Sequence, residues 1–553
     1  MDKKIESSES FFALDPAIFR TMQERIEMVS HPECPKENLI IVAEHDTDEP
    51  VVEACAFSEN ADQDVYDIVM RRLDITMDDI QTARDSWRIK SNPKFKDSFC
   101  VLPWVHAATN ANGSIRACCQ MIYNDDTMPY GEIKKSNGAP LNFNDDISKN
   151  RNAANWKYLR SEMLAGNRPD VCKLCWDEEH NGIESKRKQH NAIFNSDISD
   201  IVKKTKPDGT IKNSDFPIKY WDLRFGNKCN IKCRSCGPTD SDQWYSDHID
   251  LGLGDTFKIK DGTVAVIEQE NKKLIVKDVF DWVENSKLWD QIKNNIDTIE
   301  RFYFTGGEPT VNLKHRELLE YMIDQGVADK IILEYNTNMA GIPDDVFKKW
   351  SQFKEVHIGM SIDGIYEHFE HIRFPGKWKT VERNLNKMDK DPRLANTTTS
   401  FTMTLSIMNV IHVLDLIWWL KEQKYARINT NVVVHNLYWP KFYNIQNLPN
   451  EVKVIVENLY KTFIDDMYKR WSKDIEWCRH TEKTLESIIV HMNEKEPDEA
   501  EFQNFFKRQD ALDKIRKEDW RTSLKGIADI LTYYTDLKKR AKNVKLENTG
   551  KRK

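Results

Sequence analysis

The chain has 553 residues, too many for a single core of ordinary size, and its net charge of −8 argues against a protein that coats nucleic acid by neutralising phosphates. Residues 1–6 carry no apolar leader core, and the strongest apolar run, 414–420, is too short to cross a bilayer, so a cytoplasmic protein with no membrane partner is expected. In that reducing compartment the 11 cysteines are poor material for a disulfide framework, and clustering among them points to metal or redox chemistry.

In chain order, residues 1–95 mix helical patterning at 16–29 with a strand candidate at 39–43 and show no ligand spacing, so this region receives no role. The second region, 96–200, opens with strand-like runs at 101–109 and 114–119 around Asn112-Gly113, a pair suited to positive φ at both turn positions, which predicts a β-hairpin with cysteines at its open end. From 215 to 445, strand candidates at 218–225, 299–304, 330–335, 355–362, 398–407 and 428–434 alternate with helical segments, which implies a parallel sheet of βα units. Polar residues 268–273, between apolar runs at 264–267 and 274–276, read as the turn of an inserted hairpin. The last region, 446–553, is helical, with apolar residues at Val456, Tyr460, Phe463 and Met467 and again at Leu485, Ile488 and Ile489. Its basic end, 538–553, reads as solvated and disordered.

The chemistry concentrates after the first of these strands, in Gly226-Asn227-Lys228-Cys229-Asn230-Ile231-Lys232-Cys233-Arg234-Ser235-Cys236. Three thiolates in one loop can hold three corners of a [4Fe–4S] cube and leave the fourth iron open to an exchangeable ligand. A structural zinc site would call for a fourth Cys or His, and the next histidine is His248. Phe304-Thr305-Gly306-Gly307-Glu308-Pro309 ends the second strand, Asn336 and Asn338 the third, and Ser361-Ile362-Asp363-Gly364 the fourth, with Arg373 beyond.

Cys-x3-Cys-x2-Cys after the first strand of a βα series resembles the signature of the radical S-adenosylmethionine (SAM) superfamily, and the Gly-Gly-Glu-Pro segment is similar to that family's second element. The resemblance implies an α/β fold with a partial (β/α)6 TIM-like barrel. It also implies SAM chelated to the open iron by its amine and carboxylate, with reductive cleavage to a 5′-deoxyadenosyl radical that abstracts hydrogen from a substrate. It assigns SAM contacts to Gly306, Gly307, Glu308 and Pro309, with Glu308 on the ammonium, and to Asn336, Asn338, Ser361, Asp363 and Arg373, with Arg373 gripping the carboxylate. A Cβ at either glycine is expected to block the approach to the ligand.

A second set comprises Cys100, Cys118, Cys172 and Cys175, spaced Cys-x12-Gly-x4-Cys and then Cys-x2-Cys. Four thiolates can fill every protein-ligand corner of a cube, and a zinc ribbon presents the same two pairs. Cys119 is an alternative to Cys118, because neighbours on a strand face opposite sides. With Cys172-Lys173-Leu174-Cys175-Trp176-Asp177-Glu178-Glu179, the pattern resembles the SPASM module in its shortened twitch form, placed here before the barrel, and implies one auxiliary [4Fe–4S] cluster. Cys34, Cys55 and Cys478 read as buried apolar residues, and His357, His371 and His435 receive no role. The resemblance further implies an external electron donor, a flavodoxin or ferredoxin, and a peptide or protein substrate. A small metabolite or nucleotide precursor as substrate, or a non-catalytic iron–sulfur electron-transfer protein, are the other readings.

Overall fold

A computed structural model describes the backbone of residues 39–44, 51–57 and 97–550, apart from 122–140, 143–144, 181–183, 260–262 and 285–286, with side chains from 97 to 539. The expected helix at 16–29, Cys34 and the side chain of Cys55 lie outside the described residues. The chain divides into two compact units, Met1–Trp104 with Trp156–Phe216, and Val105–Asn155 with Pro217–Lys553. No helix among the described residues is long and apolar enough to cross a membrane.

In the first unit, β1 (Leu39–Glu44) pairs antiparallel with β2 (Val51–Phe57). Helices α1 (Ala154–Ala165, entering this unit at Trp156), α2 (Lys173–His180), α3 (Lys186–Ile193) and α4 (Asn195–Lys204) follow. Two indoles are fully buried with their N–H groups satisfied: Trp104 donates to Thr205 Oγ1 at 2.8 Å and Trp156 to the Pro103 carbonyl at 2.8 Å.

The second unit is built on an eight-stranded sheet in the order β14-β13-β12-β11-β10-β5-β3-β4. These strands are β3 (His106–Thr109), β4 (Ile115–Arg116), β5 (Tyr220–Arg224), β10 (Arg301–Thr305), β11 (Ile332–Thr337), β12 (Glu355–Ser361), β13 (Thr397–Leu405) and β14 (Val432–Asn436). Each of the six strand candidates after residue 215 overlaps one of them, and β5 and β10 to β14 all pair in parallel. Their connections run through α5 (Trp244–Asp250), α6 (Leu313–Asp324), α7 (Asp344–Trp350), α8 (Tyr366–Ile372), α9 (Trp378–Lys390) and α10 (His412–Glu422). A parallel sheet covered on both faces reads as continuous apolar runs. Here burial alternates along β11, β12 and β13: Leu333, Tyr335, Val356, Ile358, Phe401 and Met403 pack into the core, and the opposite face carries half-buried Glu334, Asn336, His357, Ser361 and Thr402.

Three local expectations change. The run 101–109 is helical over Leu102–Val105, where Pro103 has no N–H to give a ladder, and only His106–Thr109 pairs, antiparallel to Ile115–Arg116. Its turn is closed by Gly113 N–H donating to the Asn110 carbonyl at 2.9 Å, and of Asn112 and Gly113 only the glycine has positive φ, 85°. The insertion is two ribbons in place of one: β6 (Thr256–Lys258) pairs with β7 (Val264–Val266), and β8 (Glu268–Glu270) with β9 (Lys273–Ile275). The supposed polar turn thus contains a strand, because Asn271 and Lys272, at φ 48° and 65°, make a tight turn within it. The basic end is helical up to Gly550: α11 (Asn450–Arg470), α12 (Ile475–Asn493) and α13 (Glu499–Arg516) are followed by α14 (Lys525–Gly550). Ile527 and Leu531 anchor α14 in the core, and its Ala, Lys, Leu and Glu continuation has the propensity to extend that helix.

His315 on α6 is buried against Phe304 and Tyr335, its Nε2 2.8 Å from Tyr335 Oη, and burial pushes its pKa down from 6.5 to about 3. Below pH 6.5 the unfolded chain takes up a proton that the folded chain refuses until about pH 3, so acidification through that window destabilises the fold. This group contributes up to about 1.4 kcal/mol per pH unit. His315→Gln is expected to flatten the fall in urea-unfolding free energy between pH 6.5 and 5 by that amount.

Candidate functional site

Because β5, β10, β11 and β12 run in parallel register, with Arg224 opposite Thr305, Phe304 opposite Tyr335 and Thr337 opposite Met360, the loops that follow them leave from one edge of the sheet. The cysteine loop follows β5, Gly306 to Pro309 follow β10, Asn336 and Asn338 end β11, Ser361 and Asp363 end β12, and Arg373 caps the carboxyl end of α8.

Backbone bonds tie these loops together. Glu308 N–H donates to the Lys228 carbonyl at 2.9 Å, while Lys232 and Arg234 N–H donate to the carbonyls of Phe374 and Ile372 at 2.7 and 2.8 Å. Cys229 N–H donates to Asp242 Oδ1 at 3.1 Å, and Trp244 Nε1 to the Cys233 carbonyl at 2.9 Å. Burial first, then the neighbouring Cys233, pushes the Cys229 thiol up to about 12. Cys233 and Cys236 are hydrogen-bonded to each other, which holds Cys233 below and Cys236 above the ordinary thiol range. The Cys229 and Cys236 thiols therefore give up their protons only to a strong cation.

Around them, Arg373 Nη1 lies 3.9 Å from Cys233 Sγ, and Asn338 Nδ2 lies 4.0 Å from Cys229 Sγ while donating to Asn230 Oδ1 at 2.8 Å. Arg373 also pairs with Asp363, Nε to Oδ2 at 2.8 Å, and Asp363 accepts from Thr404 N–H at 2.8 Å. Burial disfavours the Arg373 cation, but Asp363 and the Cys233 thiol more than offset it and raise its pKa. Asn336 instead donates to Tyr303 Oη at 2.6 Å, and Ser361 stands at the end of β12 opposite Thr402.

Glu308 is 1% exposed and takes hydrogen bonds from within the chain: Thr310 N–H (3.2 Å), Thr310 Oγ1 (2.6 Å) and Thr337 Oγ1 (2.9 Å) on Oε1, and Asn338 N–H (2.7 Å) on Oε2. Burial nevertheless pushes its carboxyl above the usual range. It caps a short turn with Pro309 at the first position, and Oε2 retains acceptor capacity. The glycines also serve the chain itself: at φ 82° and 51°, a Cβ on Gly306 would stand 2.0 Å from Arg224 Cγ and one on Gly307 2.0 Å from the Lys228 carbonyl oxygen.

Sequence reasoning missed the carboxyl-terminal partners of the cysteine loop. Arg234, between two of the cysteines, is fully buried; it pairs with Asp513, with Glu518 Oε2 at 2.9 Å, and donates to Gln509 Oε1 at 2.5 Å. Asp247 on α5 accepts from Lys232 Nζ at 2.6 Å and from Arg516 Nε at 2.7 Å. Arg516 and Arg508 lie 4.8 and 5.3 Å from the Trp244 ring. His371, given no role, sits here, its Nδ1 3.5 Å from Glu518 Oε1. Asn230 lay inside the cysteine motif and Thr310 directly after Pro309, but residues 509–518 gave no signal.

In the first unit, Cys100, Cys172 and Cys175 come together. Burial first, and then the Cys172 and Cys175 thiols, push Cys100 far up, and Cys172 rises to about 12 from burial and Cys175. Buried Arg187 opposes both shifts; it pairs with Glu179 and donates to the Phe99 carbonyl at 2.8 Å. Cys118 and Cys119 belong to the second unit and lie beyond β4 in a bend and turn, where the alternation of a strand does not apply. Cys478 is buried as expected.

Residues 223–417 match the family model for the Radical SAM superfamily. No curated protein matches the chain. Among solved structures, native anSMEcpe with bound AdoMet is 16% identical, covering 46% of this chain and 61% of its own, with a TM-score of 0.28. The chain thus spans less than two thirds of that protein. Streptococcus suis SuiB bound to S-adenosylmethionine is 11% identical, covering 61% of this chain and 67% of its own (TM-score 0.28), and SuiB bound to precursor peptide SuiA is 12% identical, covering 61% and 66% (TM-score 0.27).

Removing Arg234 leaves Asp513 and Glu518 buried against each other, so Arg234→Ala is expected to cost about 3–5 kcal/mol in chemical unfolding. Gly307→Ala, with a positive φ and a backbone oxygen in the way, is expected to lower the melting temperature by more than Ala at exposed Gly252, which shares the positive φ, at 72°, but meets nothing within 4 Å.

Proposed function

We propose that this chain is a radical SAM enzyme that cleaves SAM reductively, using a [4Fe–4S] cluster held by Cys229, Cys233 and Cys236. The observation that carries the reading is the convergence of three thiols, buried Cys233 and half-buried Cys229 and Cys236, with Arg373 and Asn338 at one sheet edge, directly beside the Gly306-Gly307-Glu308-Pro309 loop. The donor set fits the group: three soft sulfurs in one loop, the Cys229 and Cys236 thiols held protonated until a metal displaces the proton, and a guanidinium at hand to offset thiolate charge. When bound, the cluster supplies the electron that breaks the S–C5′ bond of SAM.

The chain's own residues supply orientation. Arg373, fixed by Asp363, presents its guanidinium to a carboxylate, and Glu308, fixed by Thr310, Thr337 and Asn338, offers Oε2 to an ammonium. Gly306, Gly307 and Pro309 keep that loop close to Lys228; Asn336, Asn338 and Ser361 line the same edge as polar contacts for the nucleoside. The polar face of β11 to β13 supports a partial (β/α)6 barrel with a polar interior. Cys100, Cys172 and Cys175, beside Arg187, support a twitch-like auxiliary [4Fe–4S] site. An external flavodoxin or ferredoxin is the proposed reductant, and a peptide or protein the first substrate class to test.

Anaerobically reconstituted protein given SAM and dithionite is expected to release 5′-deoxyadenosine, and the Cys229, Cys233 and Cys236 triple alanine variant to release none, as read by liquid chromatography. Iron-loaded wild type that yields no product would favour the electron-carrier reading. Alanine at Cys100, Cys172 and Cys175 is expected to lower iron by about four atoms per chain while 5′-deoxyadenosine formation persists; unchanged iron with one bound zinc would replace the auxiliary cluster by a zinc ribbon.

A further inference from the structure

Two clusters of potential ligands outside the cysteines stand out, and one is already explained: His371, Asp513 and Glu518 surround Arg234, whose guanidinium is the cation there. The other has no such occupant. His368 lies on α8, which follows β12, and His412 and Asp415 lie on the first turn of α10, which follows β13. One ligand atom from each can be chosen so that all lie within 4.8 Å of one another. The two imidazole rings have centroids 3.7 Å apart, and His412 Nδ1 is 3.0 Å from Asp415 Oδ2.

A helical His–Asp pair three residues apart is commonplace and needs no metal. What the pair leaves unexplained is the second imidazole. His368 Nδ1 is buried with no hydrogen-bond partner among the described residues, and so is Nε2 of His412, a side chain only 3% exposed. Orphaned ring nitrogens on two imidazoles in contact, here tilted by 38°, are costly unless something with an empty orbital, or a proton, joins them. Burial, and then His412, pushes His368 down to about 4, which disfavours the proton and leaves the lone pair for a metal.

The surroundings favour a cation with room to enter. Asp415 is exposed and opens onto a pocket of about 410 Å³ lined by Tyr366, Glu367, His368, Trp418 and Glu422. Tyr366 holds a left-handed φ of 49° at the start of α8, and its hydroxyl accepts from Trp419 Nε1 at 3.2 Å, which locks the helix carrying His368 against the one carrying His412. Two imidazoles and one carboxylate, with remaining positions open to solvent, are a donor set for a borderline divalent ion such as Zn²⁺.

We infer that His368, His412 and Asp415 form a binding site for one divalent transition-metal ion, separate from both cysteine sets. The inference does not depend on the SAM-cleaving reading. Full-length protein with its iron loaded and quantified is dialysed against Zn²⁺, and zinc and iron are measured together by mass spectrometry. One zinc per chain beyond the iron is expected, with a zinc-dependent rise in melting temperature. His368→Gln, His412→Gln and Asp415→Asn are each expected to weaken zinc binding by more than the roughly 10–100-fold that loss of an outer partner costs, at unchanged iron content. Wild type that takes up no zinc, or His368→Gln and Asp415→Asn proteins that melt as folded chains and still hold one zinc at wild-type affinity, would overturn the site.

Discussion

Hydrogen bonding between parallel strands in register decides where everything else in the second unit can be. With β5, β10, β11 and β12 all pointing the same way, the segments after them have no choice but to share an edge, and residues 229, 308, 338 and 373 meet there despite the distance between them in sequence. Glu308 turns that proximity into rigidity. Its carboxylate joins the turn after β10 to the end of β11, so two neighbouring loops are fixed by one buried group.

Much of this was readable beforehand because it depends on short-range pattern. The six apolar runs after residue 215 located six strands, and cysteine spacing located the loop that carries the thiols. What stayed hidden was pairing at long range. Nothing in the text around Asp513 or Glu518 marks them as counterions of Arg234, because a charge run looks the same whether it faces water or a buried guanidinium. The two-ribbon insertion was hidden for another reason: Asn271 and Lys272 provide a left-handed turn without glycine, and Glu268–Glu270 pairs despite its polar composition. Glu308 and the two glycines follow β10 at the sheet edge, and their immediate partners are the chain's own loops, which a ligand-centred reading does not foresee.

Both cysteine sets use the same electrostatic arrangement. Arg373 stands beside Cys233, and Arg187 lowers the cost of charge on Cys100 and Cys172; each guanidinium is held by an acid, Asp363 in one case and Glu179 in the other. A buried arginine so tethered lends positive potential without moving toward the sulfurs.

The link from Arg234 to Asp513 and Glu518 has a temporal side. These partners are separated by 279 and 284 residues, so on a ribosome adding about 5–20 residues per second the loop emerges some tens of seconds before its counterions exist. During that interval the thiol-bearing segment stands open to solvent. Arrival of the helix that carries Asp513, and of Glu518 just beyond it, then covers the loop, so its enclosure waits on residues translated long after it.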